Sequence, residues 1–261
     1  MRRGALISLA LLFAAAVLLS IRPGASYSEQ HRELPAAGSS WAHPAGTDAL
    51  GRDRLTRVAF ASLLDLSGAV AAAGVTTIIA AAVGLLAALG PALLAAPLLL
   101  VCDAFLGLPW LFLLMMVRSG MPLKTAPLVS AAVTFIVLAF LGWPACARAV
   151  HAGAVVLRGS DWMVQARAGG LRGSQLMRRH LLPQLAQLLL PQFLISVPAF
   201  VMAEANLGTL GLGISEPLPS WGSMLLELDS SAMLADSLWV YLPVGLLIGS
   251  LVLLELLLVE V

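Results

Sequence analysis

An all-α, polytopic membrane protein is the fold class this sequence predicts, and three observations predict it. Hydrophobic residues make up 60% of the chain against 11% charged, and the mean hydropathy is +0.95, far from the balance of a soluble domain. Apolar runs long enough to cross a bilayer recur along the chain, since a core about 30 Å thick takes roughly 20 residues of helix. The joints between those runs are short and polar or rich in Gly and Pro, so nearly the whole chain is membrane domain, with its backbone paired inside helices.

The first run, from Gly4 to Ile21 behind Arg2 and Arg3, is expected to be a membrane anchor. It exceeds a usual signal-peptide core, and Ser20-Ile-Arg-Pro-Gly24 is a poor cleavage site, although Gly24-Ala-Ser26 keeps the signal-peptide alternative open. A polar loop with Pro35 and Pro44 follows. Further spans are predicted at about Leu63 to Leu89, Ala92 to Val117, Thr125 to Ala147, Gln184 to Leu207 and Ser237 to Val259, making about six. This divides the chain into an anchor with its external loop, residues 1–61, and a transmembrane domain, residues 62–261. Cys102 and Cys146 fall inside apolar runs and are expected to be packing residues.

Orientation follows from the basic residues. The segment from Arg148 to His180 carries six arginines against the single acid Asp161, which places it on the cytoplasmic side. With six spans, the loops at 22–62, 118–124 and 208–236 are then external and both termini cytoplasmic. The outer loop holds five arginines, but four acids nearly balance them.

Within the basic segment, Trp162, Met163, Ala166, Leu176, Leu181 and Leu182 supply an apolar side, while Arg167, Arg172, Arg178 and Arg179 supply charge. Gly169, Gly170 and Gly173 interrupt it, so two short helices with a bend are expected. Taken alone, it would equally be an amphipathic surface helix held by anionic lipid headgroups.

Three motifs in order change that balance. Asp161, Ala166, Arg167, Ala168, Gly170, His180, Leu182 and Pro183 resemble the EAA loop of binding-protein-dependent ABC importer permeases. The stretch His43-Pro-Ala-Gly-Thr-Asp-Ala-Leu-Gly-Arg-Asp53 resembles the HPxGTDxxGRD signature of the dipeptide, oligopeptide and nickel branch. The stretch from Glu204 to Met224 resembles that branch's ExxLSFLGLGxxPPxPxWGxML, and Asp103 to Pro109 resembles its intervening membrane stretch. The resemblance covers roughly residues 41–250 and is closest to the C-type subunit.

The resemblance implies a function. Asp161, Ala166, Arg167, Gly170, His180 and Pro183 would belong to a coupling helix that docks on an ATPase subunit. Gly46, Thr47, Asp48, Gly51, Arg52 and Asp53, with Gly211, Gly213, Pro217, Trp221 and Gly222, would form the external gate and the surface that receives a solute-binding protein. Asp103, Pro109 and Glu204 would line the membrane pathway or an interface. Implied partners are a homologous B-type permease, two ATP-binding subunits and the extracytoplasmic binding protein, in a bacterial inner membrane and without nucleic acid. ATP and Mg would reside in the partner ATPases, with no cofactor or metal on this chain. Peptide is the expected substrate; a nickel chelate or another small solute is the alternative.

The residues themselves bear on these roles. Gly170 permits a turn that a Cβ would hinder, and Pro183 suits a first helical turn, where its missing N–H is unpaired anyway. His180 would cap or pack at that junction, with no second ligand nearby for a metal. Asp48 has the chemistry of a helix cap, Trp221 that of an interfacial anchor, and Asp65 lies at an outer helix end. Membrane carboxylates are costly, roughly 2.5–3.5 kcal/mol on insertion scales, so Asp103 and Glu204 should face protein or water.

Departures are also visible. Val164 and Gln165 stand where the family has its glutamate and first alanine, the turn at Gly90 to Pro97 is reduced, and both ends are short. No phosphate-binding Gly-x-x-x-x-Gly-Lys loop occurs, and the only lysine is Lys124. An enzyme is disfavoured by the lack of His-Glu-x-x-His and Gly-x-Ser-x-Gly motifs and by four scattered histidines. An ATP-independent secondary transporter is the other functional class; it would call for inverted repeats, and none is visible.

Overall fold

The structure, a computed structural model, describes residues 2–122, 124–171, 173–177, 181–229 and 238–258. Ten α-helices are assigned among them: α1 (Arg2–Ser20), α2 (Arg54–Leu89), α3 (Ala92–Leu106), α4 (Trp110–Ser119), α5 (Pro127–Arg158), α6 (Asp161–Ala168), α7 (Ser174–Leu176), α8 (Leu182–Thr209), α9 (Trp221–Leu226) and α10 (Leu242–Leu258). No strand occurs among the described residues beyond an isolated bridge between Thr47 and Asp53. Five helices, α1, α2, α5, α8 and α10 with the turn before it, are long and apolar enough to cross a membrane. The bent pair α3 and α4 makes six if counted as one span. The all-α polytopic class is as expected.

Three boundaries differ from expectation. The span predicted as continuous from Ala92 to Val117 is broken and bends by 74° between α3 and α4. Gly107 closes α3 and Pro109 precedes α4, and a proline disfavours helical geometry in the residue before it. The helix that holds the second span begins at Arg54, capped by Asp53, rather than at Leu63, and Arg54 and Arg57 are buried within it. The fourth continues to Arg158, so Arg148 and His151 lie within α5.

Small residues let α2 and α5 approach closely, the usual basis of helix association in lipid. A Cβ on Gly68 would come within 2.3 Å of the Phe135 ring, and one on Gly84 within 2.6 Å of the Ala147 carbonyl. Thr76 adds a hydrogen bond from its hydroxyl to the Ala139 carbonyl at 2.9 Å. One apolar cluster gathers Ala69, Leu114, Leu138, Val201, Leu207 and Trp221; a second gathers Ala80, Cys146, Val150, Met163 and Leu185 toward the Leu89 end of α2. Cys102 and Cys146 are buried free thiols in that second cluster.

The 36 residues of α2 extend about 54 Å. At the Arg54 end lie the 43–53 loop and α9; at the Leu89 end lie α6 and α7. The two sets of motif residues therefore occupy opposite ends of the molecule.

Candidate functional site at the two ends of the bundle

At the Arg54 end, the 43–53 loop is folded by its own side chains. Asp48 accepts the backbone N–H groups of Leu50 and Arg52 at 2.9 and 2.8 Å, and its second oxygen accepts from Arg52 Nε at 2.6 Å. The cap of α2 is Asp53, not Asp48: its Oδ1 accepts the Thr56 N–H at 2.8 Å, while Oδ2 meets His43 Nδ1 at 2.8 Å. Asp48 is occupied by the preceding turn, and this explains the exchange of roles. The Thr47 hydroxyl donates to the Leu34 carbonyl at 2.5 Å and accepts the Ala37 N–H at 2.9 Å. Gly46 and Gly51 have φ of 71° and 75°, and a Cβ on them would fall 2.5 Å from the Ala37 carbonyl and 2.0 Å from that of His31. Only glycine serves at both positions.

The second outer motif packs onto the first through charge. Arg52 Nη1 donates to Glu216 Oε2 at 2.5 Å and Arg57 Nη2 to Glu216 Oε1 at 3.1 Å. Arg57, wholly buried, also lies 3.5 Å from Asp48 and 3.9 Å from Glu227. Burial works against the Arg52 charge, but Asp48 and Glu216 outweigh it and hold the guanidinium above its ordinary pKa. Burial pushes the Glu227 carboxyl up, with Arg57 opposing in part. Arg57 Nη1 reaches the Pro217 carbonyl at 3.4 Å.

Trp221 is fully buried, contrary to the interfacial anchor expected from its type. Its backbone N–H donates to Asp65 Oδ2 at 2.6 Å and its indole N–H to Ser62 Oγ at 3.1 Å. Asp65 likewise lies buried inside the protein rather than at a helix end. Ser220 and Ser223 form a reciprocal capping box at the start of α9. Glu204 is fully buried, with Oε2 at 3.4 Å from the Gly222 N–H. Gly208, Gly213 and Gly222 pack backbone to backbone; a Cβ on Gly213 would come within 2.7 Å of Gly208 Cα. Gly211 takes φ of 74° in the turn after α8. Arg118, at the end of α4, donates through Nε to the Leu212 carbonyl at 2.9 Å and through Nη2 to that of Gly213.

Sequence reasoning singled out both motifs but missed Glu216, which joins the second to Arg52 and Arg57, and missed Ser62 and Arg118, which tie the second to α2 and α4. The spacing of Asp53 and Arg57, one helical turn apart, marks a shared face. Glu216, the partner of Arg57 159 residues away, carries no local signal.

At the Leu89 end, α6 and α7 form the two short helices with a bend. Gly170 and Gly173 between them have φ of 89° and 55°, with open space around both Cβ directions. Met163 and Leu181 are buried, whereas Asp161, Val164, Gln165 and Gly170 face outward. Leu89, Arg158, Met163, Leu176, Met177 and Leu181 line a half-open, apolar cavity of about 360 Å³ beside these helices. Ala166 is half-buried and Pro183 occupies the first turn of α8. His180, Arg172, Arg178 and Arg179 lie outside the described residues, as does the side chain of Arg167.

Between the ends, Asp103 on α3 pairs with Arg148 on α5, and both side chains are about half exposed. Pro109 precedes α4 at the break.

A multi-pass bundle with a cross-linked loop cap at one end and a hinged helix pair at the other has the form of a membrane transport subunit. Residues 63–261 match the family described as binding-protein-dependent transport system inner membrane component, and the chain belongs to that family. It is a permease of the ABC importer type. It is 31% identical over 212 residues to a putative peptide permease protein of Brucella suis, an alignment covering 80% of this chain and 68% of that protein. It is 30% identical over 201 residues to the dipeptide transport system permease protein of Bacillus subtilis, covering 76% and 59%. A glutathione transport system permease protein of Pectobacterium atrosepticum is 28% identical over 204 residues, covering 78% and 66%.

Proposed function

We propose that this permease carries peptides, forming half of the pathway of an ATP-driven, binding-protein-dependent importer. The peptide, dipeptide and glutathione permeases named among its relatives support that substrate class. The observation that carries the coupling role is the α6–α7 pair, which projects Asp161, Val164 and Gln165 outward around a left-handed Gly170. A short helix pair hinged in this way fits a groove on a soluble partner.

In this reading the other half of the pathway comes from a homologous B-type permease, and two ATP-binding subunits receive the loop at 161–183. ATP and Mg bind those subunits; this chain has no phosphate-binding loop of its own. The 161–183 loop and both termini are cytoplasmic in an inner membrane, and residues 1–61 supply the anchor and external loop. A solute-binding protein docks on the 43–53 and 211–222 segments. ATP-driven closure of the ATPases moves the α6–α7 pair, and the bundle passes that motion to the outer cap.

The test is copurification of the ATPase subunits with this chain and its partner permease, followed by disulfide trapping from Val164→Cys into the ATPase groove. Copurification with trapping at Val164 supports the reading; an intact permease pair that retains no ATPase subunit contradicts it.

A further inference from the structure

The half-exposed Asp103–Arg148 pair is unusual for side chains on apolar helices. Asp103 lies eleven residues into α3, and Arg148 ten residues before the end of α5, each about 15 Å from the Leu89 end of its helix. Their side chains are 54% and 45% exposed, and one guanidinium nitrogen, Arg148 Nη1, meets one carboxylate oxygen, Asp103 Oδ1. Each group thus keeps surface for a further bond. A half-open charged pair is costly against hydrocarbon, so this face is expected to meet water, headgroups or another polar surface.

The helix break supports the same conclusion independently. Leu106, Leu108 and Trp110 around it are 50%, 45% and 40% exposed, so the interruption lies on the surface of the chain. Irregular backbone at membrane depth is tolerated where it is covered by protein or lines a watery cavity. A cavity of about 270 Å³ opens there, with Phe105, Trp110 and Phe200 as aromatic walls and Gln192 and Ser196 as polar ones. Leu106 and Ala145, also in its lining, stand one helical turn from Asp103 and Arg148 respectively, so the ion pair sits at one end of the cavity. The volume is below the roughly 300–1,000 Å³ of sites that enclose a whole small ligand, and suits a side chain.

We propose that Asp103 and Arg148 form a paired-charge station on the translocation pathway, where the ammonium group of a passing peptide engages Asp103 and its carboxylate engages Arg148 while a side chain rests in the adjoining cavity. The proposal rests on the importer reading above. A neutral pair of opposite charges matches a zwitterion and attracts neither a bare cation nor a bare anion strongly, so it lets the substrate move on.

The experiment is uptake of alanyl-alanine into proteoliposomes holding the complete importer, counted per assembled complex. Asp103→Asn and Arg148→Gln are each expected to lower uptake about tenfold, the equivalent of one charge-assisted hydrogen bond. The exchanged pair, Asp103→Arg with Arg148→Asp, restores an ion pair but reverses its polarity and is expected to stay low. Wild-type uptake in the exchanged pair would overturn the proposal, because the contact would then only hold α3 against α5. Unchanged uptake in the single variants, with the wild type active, would overturn the proposal alone. A wild-type complex without ATP-driven uptake would overturn the importer reading as well.

Discussion

Asp65 and Trp221, 156 residues apart in the chain, are joined by a 2.6 Å hydrogen bond from the Trp221 backbone N–H to the Asp65 carboxylate, which ties α2 to the first turn of α9. The indole N–H adds a bond to Ser62, one turn earlier on α2. Trp221→Phe loses that donor and also leaves part of the indole's buried volume unfilled, so we expect a cost of about 2–3 kcal/mol, about 1 kcal/mol of it from the hydrogen bond. Asp65→Ala leaves the Trp221 N–H buried without its acceptor and should cost about 1–3 kcal/mol, with Asp65→Asn milder. Thermal unfolding in detergent gives the order; equal stability of Asp65→Ala and Asp65→Asn would contradict it.

Asp48 and Glu216 both hold arginines, but they differ in burial. Asp48 is 2% exposed and serves two backbone N–H groups, whereas the Glu216 side chain is 51% exposed. Removing one side of a buried ion pair costs about 3–5 kcal/mol, which we expect for Asp48→Ala. Solvent screening reduces the cost of Glu216→Ala to about 1 kcal/mol. Comparable unfolding midpoints for the two variants would show that the outer cap is not organised around Asp48.

Backbone contact between α8 and α9 sets a third expectation. A Cβ on Gly208 would stand 2.3 Å from the Gly222 backbone, whereas one on Gly74, inside α2, would meet nothing within 4 Å. Gly208→Ala should destabilise by about 1–3 kcal/mol through forced separation. Gly74→Ala should be neutral or stabilise by up to about 1 kcal/mol through helix propensity. The comparison is read from unfolding midpoints, and a neutral Gly208→Ala would refute the close approach.

Burial raises the Glu227 carboxyl above its ordinary value, so its favourable contribution is complete below the unfolded carboxylate pKa and is lost as pH rises through the folded one. Glu227→Gln cannot ionise and avoids that loss. Its unfolding midpoint should match the wild type near pH 4 and exceed it progressively toward pH 8. A wild-type protein that gains on the variant with rising pH would mean that Arg57 outweighs burial.

What could be learned from sequence here follows the range of the interactions. The spans were legible because apolar length is a local property, and the glycines at 46, 51 and 170 because their turn chemistry is local too. Arg54 and Arg57 were assigned to the outer loop since charge ordinarily marks the end of a span. Arg57 is buried against Asp48, Glu216 and Glu227, and the fold brings the last two from distant positions. The break at Gly107 to Pro109 was hidden by continuous hydrophobicity on either side, though the Gly and Pro themselves signal it. Trp221 has the amphipathic character of an interface residue, and only the placement of Ser62 and Asp65 turns it inward. The partner of Asp103 carries no local signal either, because Arg148 follows the apolar run and reads as the start of a loop, whereas α5 continues through it.

The coupled-importer account is tested most directly by ATP hydrolysis in the reconstituted complex, with and without peptide-loaded binding protein, comparing the wild type with Gly170→Pro. Proline fixes φ near −65°, incompatible with the 89° at Gly170, so the α6–α7 bend is lost without disturbing the outer cap. The account predicts stimulation by loaded binding protein in the wild type and its disappearance in the variant, with assembly intact. Full stimulation in an assembled Gly170→Pro complex would contradict it.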